Sequence, residues 1–76
     1  MLMTNADIAR ALRYESARRE PENEWKARAY KQAADVVAGW PESMADLCAS
    51  GRLTTLPGIG PKIAAMIAKL LGYGEQ

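Results

Sequence analysis

A stretch rich in proline and glycine offers the clearest chemistry in the sequence. It reads Leu56-Pro-Gly-Ile-Gly-Pro-Lys-Ile-Ala64. Pro57 fixes its own φ at about −65°, and Gly58 can adopt a positive φ that would strain other residues. The pair therefore predicts a tight turn between two helices. We expect the Ile59 side chain to point back between those helices and anchor the turn.

The helix that begins after this turn predicts an anion site. The first N–H groups of a helix have no partner within it, and the helix dipole makes this end positive, so a phosphate fits there. Pro61 has no N–H, so we assign phosphate binding to the backbone amides of Gly58, Gly60 and Lys62, with the Lys62 ammonium beside them. Phosphate contacts carry no base information, which predicts sequence-independent nucleic-acid binding.

Two other interpretations of the glycines differ in strength. A dinucleotide-binding fingerprint needs a third glycine and a preceding strand, but Ile63 occupies that glycine position and no strand pattern comes before it. The sequence thus argues against a dinucleotide site. A purely structural helix-helix turn remains an alternative to an anion site.

Helical spacing of apolar residues predicts an all-α fold of four short helices, with the hairpin between the third and fourth. Thr4 or Asn5 suits the N-cap of the first helix, and Asp7 would complete a capping box. Gly39 is expected to end the second helix. The first two helices are predicted at Ala6 to Arg18 and Glu24 to Ala38. A short third helix should begin at Pro41 and end before a left-handed cap at Gly51. The fourth should run from Pro61 to about Leu71, where Gly72 and Gly74 end it.

Apolar faces on these helices predict one hydrophobic core. The expected core positions include Ile8, Ala11, Leu12, Ala33, Val36, Val37, Met44, Leu47, Cys48, Ile63, Ala64, Ile67, Leu70 and Leu71. Trp25 and Trp40 lie at the ends of the stripe on the second helix. We interpret four arginines of the first helix as a solvated face: Arg10, Arg13, Arg18 and Arg19.

The composition limits the possible functions. A chain of 76 residues has room for one domain, residues 1–76, and its net charge of +1 means that nucleic-acid affinity must come from local placement of charge. Cys48 is the single cysteine and histidine is absent, which excludes an intrachain disulfide and a structural zinc site. The sequence lacks a signal-peptide pattern and a membrane span, so we expect a cytoplasmic location, on the nucleoid if the source is bacterial.

Beyond the hairpin, the segments Arg28-Ala-Tyr30-Lys-Gln-Ala-Ala34 and Trp40-Pro41 complete a family resemblance. Together, from about Asn5 to Gly74, these motifs resemble the helix-hairpin-helix N-terminal 8 kDa domain of family X DNA polymerases. The resemblance implies a domain of four helices that binds the 5′-phosphate side of gapped DNA. It also implies partners among repair or replication proteins, and often a 5′-deoxyribose-phosphate lyase activity that uses a Schiff base.

The resemblance assigns roles to individual residues. The phosphate-pocket lysine and tyrosine fall on Lys26 and Tyr30, and the basic residue of the hairpin falls on Lys62. The aromatic residue that stacks on a template base falls near Trp25. The resemblance further implies K⁺ or Na⁺ at the hairpin, without any obligatory cofactor. Its ligands would be the backbone carbonyls of Thr54, Leu56 and Ile59.

The lyase residue of that family is replaced in this sequence. The Schiff-base lysine falls on Met66, whose thioether cannot form an imine, and Lys69 lies one helical turn further on. We therefore expect a free-standing DNA-binding module without a polymerase domain and without lyase activity. A protein-interaction module on the same scaffold is one alternative, and a residual lyase that uses Lys69 is another.

Overall fold

The computed structural model describes residues 3–72 as four α-helices and one 3-10 turn, with no β-strand in this range. The all-α prediction is thereby confirmed. The helices are α1 (Asn5–Arg19), α2 (Glu24–Gly39), α3 (Met44–Ala49) and α4 (Pro61–Leu70), and the 3-10 turn is Leu53–Thr55. No helix in the described range is long and apolar enough to cross a bilayer.

Side-chain oxygens cap the first three helices. The Thr4 hydroxyl accepts the Asp7 amide at 3.1 Å, and the Asp7 carboxylate accepts the Thr4 amide at 3.0 Å, so the predicted capping box is confirmed. Asn23 accepts the Lys26 amide at the start of α2 in the same way. Each cap satisfies an amide that the helix itself leaves without a partner.

Two polar side chains of α1 tie it to the rest of the fold. The Ser16 hydroxyl donates to the Ala27 carbonyl at 2.6 Å and so links α1 to α2. The Asn5 amide group donates to the Glu42 carbonyl at 2.8 Å, while its oxygen accepts the Met44 amide at 2.9 Å. These bonds hold the start of α1 against the α2–α3 connection.

One apolar core joins all four helices to the hairpin. The first three helices contribute Ile8, Ala9, Leu12, Ala33, Ala34, Val37, Met44 and Leu47. The hairpin and α4 contribute Leu53, Leu56, Ile59, Ile63 and Ile67. Ile59 is 3% exposed, which confirms that it anchors the turn. The burial of the hairpin's own apolar side chains therefore fixes its backbone.

The helix boundaries correct several predictions. Helix α2 continues through Gly39 rather than ending before it, since its carbonyls still find donors up to the amide of Trp40. Helix α3 begins at Met44 and not at Pro41, because the Ser43 hydroxyl caps it there. The 3-10 turn was not predicted, because three residues are too few to show a helical period. Gly74 lies outside the described residues.

Burial also differs from the sequence pattern at several positions. Ala9, which the sequence analysis did not include in the core, is completely buried. Val36 and Cys48 are only half-buried, as are Ala11, Ala64, Leu70 and Leu71. These positions lie at the borders of the helix faces, where periodicity alone does not set how far the neighbouring helix reaches.

Candidate nucleic-acid interface

The hairpin turn has the backbone geometry that its sequence predicts. The Ile59 amide donates to the Leu56 carbonyl at 3.2 Å across the Pro57–Gly58 pair. Gly58 has a φ of 78°, the positive value that a type II turn requires at this position. With Leu56 and Ile59 buried on either side, the exposed tip of the turn is rigidly placed.

The N-terminus of α4 is built differently from those of the other helices. Its N-cap is Gly60, which has no side chain to accept a hydrogen bond, and Pro61 follows at the first helical position. Within residues 3–72, no acceptor meets the amides of Gly58, Gly60, Lys62 and Ile63. Four N–H donors at or near the positive end of this helix are therefore without an acceptor among the described residues.

Gly60 is a glycine that the fold itself does not require. Its φ of −85° and ψ of −179° are open to any residue, as suits a position before proline. A methyl group built on Gly60 would meet no atom within 4 Å. Gly58 differs, since its φ of 78° demands glycine. Space beside Gly60 is thus left open on the outside of the hairpin.

A groove of about 310 Å³ runs between α2 and the start of α4. Lys26 and Tyr30 of α2 line one side, and Gly58, Gly60 and Lys62 line the other. The structure therefore brings together five residues that the sequence analysis assigned to phosphate binding. The lining contains two lysines and no carboxylate among the described residues, which makes the groove attractive to an anion.

A second hollow of about 570 Å³ adjoins this groove and shares Tyr30 and Lys62 with it. Met66 and Lys69 of α4 line the second hollow, which places the replaced lyase position inside it. Its remaining lining residues are Glu15, Arg18, Arg19, Ala65 and Leu70. Four cationic side chains thus face this hollow together with one carboxylate.

The arginines of α1 were interpreted as a solvated face, and the structure corrects this for Arg19, which is half-buried, whereas Arg18 is exposed. Arg18 and Arg19 line the second hollow because they lie on the side of α1 that faces α4. Glu15 pairs with both, at 3.0 Å to Arg18 and 3.2 Å to Arg19. The i, i+3 and i, i+4 spacing was a signal for these ion pairs. Arg10 and Arg13 do pair at the surface, with Asp7 and Asp35.

Trp25 lies in the first turn of α2, is 75% exposed and does not line the groove. It projects from the end of the apolar stripe and does not join the core. The Arg28 guanidinium lies over its ring at 5.3 Å from the centroid. Trp40 is half-buried against the core. Trp25 therefore offers an aromatic face with a cation beside it, an arrangement suited to stacking.

The carbonyls of Thr54, Leu56 and Ile59 fit a monovalent cation in chemical type. K⁺ and Na⁺ are hard cations that take oxygen ligands, and each of these carbonyls keeps at least one lone pair. The Leu56 carbonyl uses its other lone pair for the Ile59 amide. No cluster of His, Cys, Asp or Glu in the described part of the chain could hold a divalent metal. The cation site stays a prediction.

The helix-hairpin-helix domain family matches residues 3–76. The chain belongs to the helix-hairpin-helix domain family. Domains of this family generally bind nucleic acid, in agreement with a groove whose lining includes two lysines and the uncapped start of α4. The match is to the helix-hairpin-helix domain in general, and nothing in it is specific to the family X polymerases. No curated protein and no solved structure matches this helix-hairpin-helix domain significantly.

Proposed function

We propose that this helix-hairpin-helix domain binds DNA by its phosphates, independently of base sequence. The observation that carries the proposal is the uncapped start of α4, whose residues line a groove together with Lys26 and Tyr30. Amides and ammonium groups recognise a phosphate oxygen but do not read base edges. Because only a few cations line the groove, we expect modest affinity that falls steeply with salt.

The second hollow supports a preference for gapped or 5′-phosphorylated DNA. A terminal phosphate monoester carries about −1.5 to −2 charges near neutral pH, whereas an internal phosphodiester carries about −1. The larger charge is attracted more strongly to a pocket lined by the cationic side chains of Arg18, Lys62 and Lys69. A terminal group also ends the strand, so it can enter a hollow that a continuous backbone must pass over.

Trp25 and the hairpin carbonyls complete the proposed interface. Trp25 is exposed and directly precedes Lys26 of the groove, so we expect it to stack on an unpaired base next to a gap, a contact worth ~1–3 kcal/mol. K⁺ or Na⁺ on the carbonyls of Thr54, Leu56 and Ile59 would supply a positive charge to a phosphate oxygen. The protein's own part is to hold these carbonyls on a hairpin whose apolar side chains are buried.

Fluorescence anisotropy on three DNA substrates tests this proposal. The substrates are a gap with a 5′-phosphate, the same gap with a 5′-hydroxyl, and an intact duplex of the same length. We expect the affinities to fall in that order. Lys62→Ala should weaken all binding by about tenfold and reduce the salt slope by about 0.9. Lys31→Ala is the matched control, because Lys31 is exposed on α2 but lines neither the groove nor the second hollow.

Three results would contradict the proposal, each at a different level. Absence of binding at low salt removes DNA as the ligand. Equal affinity for the phosphorylated gap and the duplex removes the preference but leaves general phosphate binding. Equal effects of Lys62→Ala and Lys31→Ala show that bulk charge, rather than the hairpin groove, holds the DNA.

The exposed indole of Trp25 favours a protein-interaction module as the second candidate. Exposed tryptophans are frequent anchors in protein interfaces, and a net charge of +1 suits a protein partner. Under this alternative, a repair or replication protein would bind in a salt-independent manner. A Lys26→Ala/Lys62→Ala double variant would keep that partner, whereas Trp25→Ala would lose it. If the domain instead binds DNA through the groove, the Lys26→Ala/Lys62→Ala double variant should lose its ligand.

A further inference from the structure

Tyr30 occupies a position shared by the groove and the second hollow. Its side chain is half-buried against the core, yet its hydroxyl makes no hydrogen bond with another of the residues 3–72. A phenol hydroxyl can donate to a phosphate oxygen when its ring is held in the right place. What holds this ring therefore matters for the proposed phosphate site.

Arg19 covers one face of the Tyr30 ring. Its guanidinium carbon lies 4.9 Å from the ring centroid, within the range of a cation–π contact. The guanidinium is fixed in turn by Glu15, with Nη2 at 3.2 Å from Oε1. The Nε atom of Arg19 is buried and has no acceptor among the described residues. The arginine is thus half-buried beside the ring and held by its ion pair with Glu15.

Glu15 is the centre of this arrangement. Its side chain is 16% exposed, and its two oxygens engage Arg18 and Arg19 separately. Arg18 also lies over a tyrosine, Tyr14, but at 5.8 Å from a ring that is 64% exposed and lines neither hollow. The two arginines share one carboxylate and both line the second hollow, but only Arg19 covers a tyrosine ring that lines it.

We infer that Glu15 and Arg19 are positioning residues, which hold the Tyr30 ring so that its hydroxyl meets a bound phosphate. This inference rests on the proposed function. A side chain that must be immobilised on binding weakens affinity by roughly two- to tenfold relative to one already held. Because Arg19 already holds the Tyr30 ring in the free protein, this loss of affinity is avoided. Charge alone cannot replace it, because a lysine lacks the planar group that covers the ring.

A double-mutant cycle on the 5′-phosphorylated gap tests the inference. Tyr30→Phe keeps the ring and removes the hydroxyl, and we expect about fivefold weaker binding. Arg19→Lys keeps the charge and should weaken binding about threefold in the wild-type background. In the Tyr30→Phe background it should have no further effect. Arg13→Lys is the matched control, because Arg13 also pairs with a carboxylate, that of Asp35, but lines neither hollow, and we expect a change below about 1.5-fold.

If Arg19→Lys does not fold, Glu15→Gln tests the same contacts, because it weakens the ion pair that holds Arg19 over Tyr30. It should weaken binding about twofold to threefold, again only while the Tyr30 hydroxyl is present. Additive effects of Arg19→Lys and Tyr30→Phe would overturn the inference, and so would full affinity of Tyr30→Phe. If Lys62→Ala still weakens binding in those cases, the proposed function stands and only the positioning role is lost. If wild-type protein does not bind DNA, both are overturned.

Discussion

Replacing Gly60 with alanine should leave the fold intact and weaken DNA binding. The backbone at this position already has a φ of −85° and a ψ of −179°, and the added methyl group would meet no protein atom within 4 Å. Alanine also has fewer unfolded conformations than glycine, which stabilises the folded state by about 0.4–1 kcal/mol where the native backbone is compatible. The free energy of unfolding should therefore be unchanged or slightly raised.

The expected loss of binding follows from the place of the methyl group. Gly60 lines the groove next to the free amides of α4, so a Cβ there occupies space that a phosphate needs for close approach. Losing one charge-assisted hydrogen bond weakens binding by ~1.5–3 kcal/mol. This corresponds to roughly tenfold to hundredfold in Kd. Because a phosphate contact is lost, the factor should be the same for different base sequences.

Two other glycines provide the controls. Gly39→Ala lies at the end of α2 in open space, away from both hollows, and should be stabilising with unchanged DNA affinity. Gly58→Ala forces alanine to a φ of 78° and should lower the free energy of unfolding by about 1–2 kcal/mol. Urea denaturation and anisotropy on the 5′-phosphorylated gap measure the two effects on the same samples.

One outcome would refute this reasoning directly. If Gly60→Ala binds DNA as tightly as wild type while its stability is unchanged, no phosphate approaches the start of α4 closely. A loss of stability as large as that of Gly58→Ala would instead show that the fold does restrict position 60. The first result would remove the phosphate site at the exposed amides, whereas the second would contradict only the claim that the fold tolerates alanine at position 60.

Three further predictions address the scaffold and the chemistry. Asn5→Ala removes the bonds to Glu42 and Met44 and should lower the free energy of unfolding by about 2 kcal/mol in urea; a change below about 0.5 kcal/mol contradicts the bridging role. The Thr4 backbone amide, with its hydroxyl, lowers the pKa of Asp7 below its ordinary 3.8, so this stabilisation is present above pH 3.8 and lost as pH falls through the folded-state pKa. Asp7→Asn should flatten that acid-induced loss in denaturation midpoints, and an unchanged pH profile would exclude Asp7 as its source. Borohydride trapping on a gapped abasic substrate should give no adduct, since Met66 offers no amine; a Lys69-dependent adduct would reveal a lyase.

Local residue spacing determined much of the scaffold. The Thr4–Asp7 capping box, the positive φ of Gly58 and the buried anchor Ile59 were all predicted from residues within four positions of one another. Such features depend on short-range hydrogen bonds and allowed backbone angles, which a short segment sets by itself. The all-α fold followed for the same reason, from helical periodicity and the absence of strand alternation.

The candidate site needed more than local spacing. Lys26 and Tyr30 were assigned from a family resemblance, but nothing in their own segment places them opposite Gly60 and Lys62. That meeting depends on how α2 and α4 pack around a shared core. The same packing turns Arg19 towards Tyr30, which the sequence analysis missed.

Burial along the helices also depends partly on local sequence and partly on tertiary packing. Trp25 and Val37 belong to one apolar stripe in the sequence, yet Trp25 is exposed and Val37 is fully buried. Periodicity fixes which side chains share a helix face, because a helix turns by a constant angle per residue. How far along that face a neighbouring helix reaches depends on contacts between residues distant in the chain. The sequence thus determined the helices, their caps and the hairpin turn, whereas only tertiary packing decided which side chains surround the open end of α4.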